Sequence, residues 1–295
     1  MEAWTRFLER LERLLPLAEK ILREFAGMPP DGSFFEEYRA FRWDAGRGAG
    51  RMVAIERPAE FDLEDLIGVD EPVARLTGNI EQFLRGLPFN HVLLYGERGT
   101  GKSSAVKALC GRYAARGLRL VEVAREDLVE LPSILEALRE GVDFHFLLFC
   151  DDLSFGSDEV GFRELKAALE GRLEAPPENV CLIATSNRRH LLPETMEENR
   201  EARVDAAGEL HLGEALEEKL ALSDRFGLTL GFYGFDQETY LEIVRHYVAK
   251  AGVDAPPEAV DAEALRWALG RSSRSGRTAR QFVDDLAGRQ ALERG

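Results

Sequence analysis

The sequence has few cysteines and no long apolar run. Three cysteines occur in 295 residues, at positions 110, 150 and 181, far apart and odd in number. We therefore expect buried free thiols in a reducing compartment rather than a disulfide framework. No apolar stretch approaches the roughly 18 residues that favour a membrane-spanning helix. The amphipathic, acid-containing amino terminus does not resemble a secretory signal. We expect a cytoplasmic protein with no membrane partner.

Positive charge is also scarce. The chain has 38 basic and 53 acidic residues, which gives a formal net charge of −15. Such a balance argues against a surface dedicated to wrapping nucleic acid, although a local basic patch is compatible with it. The sequence shows no metal-ligand cluster of cysteine and histidine. A structural metal centre is therefore not expected.

One glycine-rich stretch carries a specific chemical signal. Residues 96–103 read GERGTGKS and fit the pattern G-x-x-x-x-G-K-[ST], and the apolar residues 92–95 before them are typical of a buried strand. In such a P-loop the backbone N–H groups point at phosphate, Lys102 neutralises the terminal phosphates and Ser103 offers its hydroxyl to Mg²⁺. The following helix turns its positive end to the anion. We predict nucleotide binding by Gly96, Glu97, Arg98, Gly99, Thr100, Gly101, Lys102, Ser103 and Ser104.

Apolar strands alternate with amphipathic helices from residue 61, which predicts an α/β domain with a parallel sheet covered on both faces. The predicted strands are residues 91–95, 118–123, 144–150, 180–185 and 228–232, with helices near 103–116, 127–140 and 161–172. After residue 235 only helices are predicted, at residues 237–251, 262–269 and 278–292. This pattern divides the chain into residues 1–60, 61–235 and 236–295.

Three further segments have less specific patterns. Residues 1–26 space apolar side chains as in an amphipathic helix, kinked or divided at Pro16, whose stripe packs on the main domain or on a partner. Residues 33–60 are interpreted as a connector with one short strand near 52–56. Residues 188–221 are rich in Glu and Arg and are interpreted as a solvated insertion, or alternatively as an interface with a subunit or client.

Polar side chains follow two of the predicted strands. Asp151 and Asp152 end one apolar strand, and Asn187 follows the next. Because ligands gather beyond the carboxyl ends of parallel strands, we expect these side chains beside the P-loop. Asp151 is then the candidate to hold Mg²⁺ through water, Asp152 to orient or deprotonate the attacking water, and Asn187 to contact the γ-phosphate or that water. The alternative is ordinary turn and helix-cap chemistry.

The order of these motifs, followed by Arg225 in LSDRFG and by Arg277 and Arg280 at the last helix, resembles the AAA+ ATPase superfamily. The resemblance implies a three-layer αβα P-loop domain with a five-stranded parallel sheet, a small helical lid, and ATP with Mg²⁺ as ligands. In family terms residues 96–103 match Walker A, Asp151 with Asp152 match Walker B, and Asn187 matches sensor 1. Residues 65–70, with Ile67 and Gly68, resemble the segment that touches adenine.

The resemblance also assigns roles to the arginines. Arg225 lies where an arginine finger acting on a neighbour's γ-phosphate is expected, which would require a homo-oligomer; the alternative is a surface salt bridge. Arg277 matches the sensor 2 arginine that contacts phosphate from the lid, with Arg280 as its rival and a solvent-facing helix end as the alternative. The arginines near this helix also allow a nucleic-acid patch, which the overall acidity does not favour.

Four stretches, residues 66–70, 96–104, 149–155 and 222–227, further resemble an uncharacterised bacterial family that is catalogued as a domain of unknown function and predicted to consist of AAA+ ATPases. The resemblance to this family does not imply a particular substrate. Residues 123–128 lack the aromatic residue and glycine of peptide-threading loops, which argues against an unfoldase. Phe155 and Gly156 are interpreted as a substitute pore loop or, alternatively, as a packed turn.

We therefore expect an ATP hydrolase that drives assembly or remodelling of an unknown protein or protein–nucleic acid partner. Asp152 is one methylene shorter than the glutamate usual at this position, which leaves open a nucleotide-dependent switch with little hydrolysis. The Asp-Asp pair and the arginines near the last helix leave open a DNA-associated loader.

Overall fold

The computed structural model describes residues 32–46, 50–139, 143–153, 160–170, 177–187, 203–204, 210–211 and 225–294. The predicted amphipathic helix of residues 1–26 lies outside these ranges. So do Phe155 and Gly156, and nearly all of the insertion predicted at residues 188–221.

Most strands belong to one sheet. The strands are β1 (Ala40–Asp44), β2 (Arg51–Ala54), β3 (Val92–Gly96), β4 (Leu118–Glu122), β5 (His145–Cys150), β6 (Val180–Ser186), β7 (Arg203–Val204), β8 (Leu210–His211) and β9 (Leu228–Phe232). The sheet has seven strands in the order β2-β1-β4-β5-β6-β3-β9, and β7 pairs separately with β8. Within the seven-stranded sheet, all neighbours are parallel except β1 and β2, which are antiparallel, and the separate β7–β8 pair is antiparallel as well.

The prediction of a five-stranded sheet is wrong in number. The five predicted strands are present as β4, β5, β6, β3 and β9, but β1 and β2 extend the sheet beyond β4. Ala40 of β1, which belongs to the predicted connector of residues 33–60, pairs with Leu120 of β4. The aromatic side chains of this part pack in the core, since Phe35 is fully buried between the rings of Phe41 and Phe146.

Helices cover both faces of the sheet. The helices of the described residues are α1 (Gly32–Glu37), α2 (Asp70–Leu84), α3 (Lys102–Tyr113), α4 (Leu131–Arg139), α5 (Val160–Glu170), α6 (Gln237–Ala251), α7 (Pro257–Gly270) and α8 (Gly276–Arg294), of which the first five cover the sheet. Helices α2 and α3 pack on one face of the sheet, and α1, α4 and α5 pack on the other. Strands β5 and β6 are almost continuously buried, because a parallel sheet between two helical layers exposes neither face to water.

Helices α6, α7 and α8 form a separate core, which we call the C-terminal helical unit. The side chains of Tyr240, Ala264 and Phe282 meet there without exposure to solvent. Asp236 caps α6 by accepting a hydrogen bond from the N–H of Thr239 at 2.8 Å, which satisfies a free backbone donor of the first turn. The unit is joined to the sheet through the short segment between β9 and α6.

Candidate nucleotide-binding site

The P-loop leaves β3 and enters α3 through glycines in unusual backbone conformations. Gly96, Gly99 and Gly101 have φ values of 130°, 77° and 102°, which side chains with a Cβ rarely adopt. A Cβ on Gly96 would lie 1.9 Å from the carbonyl oxygen of Phe232. The neighbouring N–H of Glu97 donates to the same oxygen at 3.1 Å. The loop is therefore fastened to β9 at a point where only glycine fits.

Lys102 is held against the loop by backbone carbonyls. Its ammonium donates to the oxygen of Gly96 at 2.8 Å and to that of Glu97 at 2.6 Å, and the side chain is nearly buried. Burial lowers the pKa of Lys102 from its ordinary value, and the carboxylates of Asp151 and Asp152 act in the opposite direction. These acids thus help keep a desolvated cation charged beside the loop.

One carboxylate oxygen of Asp151 accepts hydrogen bonds from two hydroxyl groups. Ser103 Oγ donates to Asp151 Oδ1 at 2.6 Å, and Thr185 Oγ1 donates to the same atom at 2.6 Å. The register that pairs Cys150 of β5 with Ala184 of β6 brings Thr185 beside Asp151. Three separate elements, the P-loop, β5 and β6, therefore meet at this carboxylate.

Asp152 and Asn187 contact each other next to that carboxylate. Asn187 Nδ2 donates to Asp152 Oδ1 at 2.5 Å, and the backbone N–H of Asp152 donates to Thr185 Oγ1 at 2.8 Å. Asp152 has a φ of 52°, a left-handed conformation that aspartate tolerates better than most residues. Thr185 is not among the predicted site residues, although its hydroxyl lies in the polar carboxyl end of β6, a position visible in the sequence.

The oxygen donors at this point suit a hard cation. Ser103 and Asp151 offer a hydroxyl and a carboxylate oxygen side by side, a donor set that Mg²⁺ accepts together with water and phosphate. In the part of the chain that the structure describes, no three His, Cys, Asp or Glu side chains form a metal-binding group. These residues fit a magnesium ion that arrives with a phosphate ligand rather than a site made by protein alone.

A cleft of about 900 Å³ lies between the P-loop and the C-terminal helical unit. Its volume is in the range of pockets that hold a small organic ligand. The predicted site residues in its wall are Ile67, Arg98, Gly99, Thr100, Gly101, Lys102, Ser103, Ser104, Asp151, Asp152, Asn187, Arg277 and Arg280. Three predicted site residues do not line the cleft: Gly96 and Glu97, which precede Arg98 in the loop, and Gly68, which follows Ile67 and lies against Thr239 of α6.

The two candidate arginines of α8 both face the cleft and occupy different parts of it. A Cβ on Gly99 would lie 3.3 Å from Arg277 Cβ, so Arg277 stands against the P-loop, where its charge further lowers the pKa of Lys102. The guanidinium of Arg280 lies 5.9 Å from the ring centroids of both Phe61 and Tyr247. The geometry thus places Arg277 at the loop end of the cleft and Arg280 over an aromatic wall.

Arg225 is remote from this cleft. It precedes β9, which starts beside β3 with Leu228 paired to Val92, whereas the P-loop follows the opposite, carboxyl end of β3. Arg225 does not line the cleft. Within one chain the structure therefore brings together every other predicted catalytic residue and leaves Arg225 at the far end of the sheet.

The fold and the site define a P-loop module of the AAA+ ATPase superfamily. Strand β6 lies between the P-loop strand β3 and the acidic strand β5, and the helical unit follows the last sheet strand. Over residues 36–290 the chain matches the family described as "Protein of unknown function (DUF815)", and it belongs to that family.

Other relatives are more distant. The chain is 26% identical over 136 residues to a 26S proteasome regulatory subunit 4 homolog of Encephalitozoon cuniculi, a match that covers 42% of this chain and 31% of that protein. A RuvB variant of Thermotoga maritima superposes with a TM-score of 0.53 at 18% identity, over 79% of this chain and 67% of that one. The Aeropyrum pernix ORC1 protein, solved in complex with DNA, gives a TM-score of 0.51 at 18% identity, over 78% and 62% of the two chains. These structural matches show the shared fold.

No helix among the described residues is long and apolar enough to cross a membrane. The three cysteines are free and buried. Burial raises the pKa of the Cys110 thiol to about 11 and that of Cys150 to about 12, so neither is activated as a nucleophile.

Proposed function

We propose that this protein is a cytoplasmic AAA+ ATPase that binds Mg·ATP in the cleft between the P-loop and the C-terminal helical unit and hydrolyses it. The observation that carries the proposal is the meeting of Ser103, Asp151 and Thr185 within hydrogen-bond distance beside Lys102. A hydroxyl and a cation at the start of α3 meet a carboxylate at the end of β5 and a second hydroxyl from β6, at the place where a P-loop would present the terminal phosphates.

The binding roles follow from this geometry. The glycine-rich backbone offers its N–H groups to the phosphates, and Lys102 exchanges its carbonyl partners for phosphate oxygens. Ser103 and Asp151 would hold a magnesium ion, which would supply Lewis-acid stabilisation of phosphate charge when bound. Ile67, which lines the cleft, and the adjoining Gly68 are assigned to the base end, and Arg277 to the phosphates, which it would meet from the helical unit acting as a lid.

The hydrolytic step is assigned to Asp152 and Asn187. Asn187 holds one carboxylate oxygen of Asp152, so the second oxygen is left to orient the attacking water or accept its proton. Arg277 stabilises charge that develops on the transferred phosphoryl group. Loss of the γ-phosphate would remove a contact between the sheet and the lid, and this change of lid orientation would drive work on a protein client.

Phosphate release by the purified protein tests the enzyme. Lys102→Ala is expected to lower the rate by about a hundredfold or more, because the lysine balances phosphate charge in both binding and the transition state. Arg75→Ala, which removes only an exposed ion pair with Glu71 on α2, is the matched control and should keep the wild-type rate. Equal rates for wild type and Lys102→Ala would refute the assignment.

Arg225 is proposed to act on the nucleotide of a neighbouring subunit, since it lies at the far end of the sheet from its own P-loop. We expect nucleotide-dependent homo-oligomers. Arg225→Ala and Lys102→Ala should each be inactive alone, and mixing them should restore part of the activity, because a Lys102→Ala subunit still supplies Arg225 to an intact P-loop. Full activity of Arg225→Ala by itself would contradict this role and favour the alternative of a surface salt bridge.

A nucleotide-dependent switch with little hydrolysis is the second candidate. It is favoured by the short side chain of Asp152, whose Oδ1 already accepts the hydrogen bond of Asn187. Tight binding of ATP without measurable phosphate release, both alone and with a partner, would select this function. Asp152→Glu should then raise turnover, because the longer side chain reaches further toward the water.

A DNA-associated role has weaker support. One structural relative is the RuvB Holliday junction branch migration motor of Thermotoga maritima, and another is the ORC1 protein in complex with DNA. In this chain Arg277 and Arg280 face the nucleotide cleft, and Arg271 stacks 3.6 Å from the ring centroid of Trp267. Salt-dependent DNA binding by the purified protein would favour this role. Absence of DNA binding even at low salt would rule the role out.

A further inference from the structure

Residues 61–69 run between the P-loop and helix α6, and we call them the 61–69 segment. On one side, a Cβ on Gly101 of the P-loop would lie 2.8 Å from Leu66 Cδ2. On the other side, Gly68 lies so close to α6 that an added Cβ would be 2.4 Å from Thr239 Cγ2. Phe61, Leu66 and Ile67 line the cleft. The segment is therefore one wall of the candidate nucleotide site.

A charged network joins this segment to α6. Asp65 Oδ1 lies 2.7 Å from His246 Nε2, and Lys250 Nζ donates to Asp65 Oδ2 at 2.8 Å. Lys250 also donates to Asp62 Oδ2 at 2.7 Å. His246 and Lys250 are one helical turn apart, so α6 presents both to the segment from the same face.

Asp65 depends on this network. Its side chain is only 8% exposed, and an isolated carboxylate so far from water would be costly. Burial alone would raise the pKa of Asp65, but hydrogen bonds from His246 and Lys250 outweigh it and hold the pKa below its ordinary value. The hydrogen bonds to Asp62 and Asp65 raise the pKa of Lys250. Asp65 is thus ionised at neutral pH and tied to α6 by both partners.

We propose that Asp65, His246 and Lys250 form a latch that fastens the 61–69 segment to the helical unit, so that this wall of the cleft moves with the lid. Asp65 is a positioning residue rather than a catalytic one. The assignment of the latch to nucleotide handling rests on the proposed function, whereas the mechanical link between segment and helix does not.

The latch joins the two bodies that form the cleft. Lys102, Ser103 and Asp151 belong to the sheet domain, and Arg277 and Arg280 belong to the helical unit. The 61–69 segment packs on both, with Leu63 and Leu66 against the sheet-domain core and Ile67 against the core of the helical unit, and the latch adds the charged contacts that bias it toward the lid. Lid motion would then displace the wall near Ile67 together with the contacts to phosphate. Motion of the lid would therefore change the contacts at both the base end and the phosphate end of the nucleotide.

Amide hydrogen exchange of the full-length protein, without nucleotide, tests the mechanical link. His246→Ala should accelerate exchange about tenfold in both residues 61–69 and α6, because the loss of a charge-assisted hydrogen bond favours local opening. His246→Gln retains a donor near the position of Nε2 and should restore most of the protection. Lys250→Met should act in the same direction as His246→Ala.

Asp261→Asn is the matched control for α6. It breaks the ion pair of Arg245 with Asp261, which links α6 to α7 without contacting the 61–69 segment. It should leave exchange in residues 61–69 unchanged. Faster exchange in α6 alone for His246→Ala, or unchanged exchange in both segments, would overturn the latch. Thermal unfolding of each variant establishes that it is folded. If His246→Ala does not fold, exchange is compared between the wild type, His246→Gln and Lys250→Met.

Addition of Mg·ATP then separates the latch from the proposed function. In the wild type, nucleotide should protect the P-loop and residues 61–69 together; in His246→Ala it should protect the P-loop about as well but residues 61–69 poorly. If nucleotide does not protect the P-loop of the wild type, nucleotide binding is refuted. The mechanical link is then still decided by the exchange experiment without nucleotide. Equal protection of residues 61–69 in wild type and His246→Ala would refute the role of the latch in nucleotide handling.

Discussion

Ser103 Oγ donates a hydrogen bond of 2.6 Å to Asp151 Oδ1, although 48 residues separate the two in the chain. The contact joins the start of α3 to the end of β5 across the intervening strand β6, which contributes Thr185 to the same oxygen. A single carboxylate therefore holds the P-loop and two strand ends in one arrangement.

The first prediction concerns magnesium. Asp151→Asn should weaken the magnesium-dependent part of ATP affinity by about tenfold or more, because an amide replaces the charged oxygen that meets the Ser103 hydroxyl. Titration of Mg²⁺ at fixed ATP measures the effect. Asp254→Asn, in the loop between α6 and α7, is the control and should behave as the wild type. An unchanged magnesium dependence in Asp151→Asn would remove Asp151 from the metal site.

The second prediction concerns Thr185, which is 1% exposed. Thr185→Val keeps the shape of the side chain but leaves the N–H of Asp152 without its acceptor, which should cost about 1 to 3 kcal/mol of unfolding free energy. Thr185→Ser retains the hydroxyl and should keep ATP turnover close to the wild type, whereas Thr185→Val should not. Urea unfolding and phosphate release measure the two effects. Equal behaviour of the two variants would show that the hydroxyl is dispensable.

The third prediction concerns the first glycine of the P-loop. Gly96→Ala should cost about 3 kcal/mol of unfolding free energy and abolish nucleotide binding, because the new Cβ would meet the backbone oxygen of Phe232. Gly78→Ala in the exposed face of α2 is the control: its Cβ meets no atom within 4 Å. We expect that change to raise stability by about 1 kcal/mol. Urea denaturation compares the two, and a mild effect of Gly96→Ala would contradict the close approach of β9.

The fourth prediction is a pH dependence of stability. Burial lowers the pKa of His91 from 6.5 to about 4, and its Nδ1 accepts the N–H of Leu182 at 3.2 Å. The unfolded chain therefore binds the proton more readily, so stability is complete above about pH 6.5 and falls as the pH drops toward 4. The loss should reach about 2 to 3 kcal/mol.

His91→Asn is the test variant, because its Oδ1 can still accept the N–H of Leu182 and cannot titrate in this range. It should flatten the fall in stability between pH 6.5 and 4, measured by urea unfolding at each pH. A residual slope is expected from His145, whose pKa is also lowered by burial and by the nearby Arg116. An unchanged slope in His91→Asn would show that this ring does not control acid stability.

The local sequence determined much of this protein. The P-loop pattern, the apolar strands β3 to β6 and the polar residues at their ends are short-range features, because the side chains that form them lie within one strand or turn. Since parallel strands end at the same edge, the meeting of Asp151, Asp152 and Asn187 beside Lys102 could be expected from the sequence. The C-terminal helices were equally evident from their periodicity.

The tertiary structure decided what depends on pairing between distant residues. Strand β1 joins the sheet because Ala40 pairs with Leu120, and no local pattern around a short aromatic stretch specifies that partner. Thr185 acts on Asp151 only through the register of β5 with β6, since a shift by one residue would turn it to the other face. Asp65 and His246 are 181 residues apart, and only the docking of α6 on the 61–69 segment unites them.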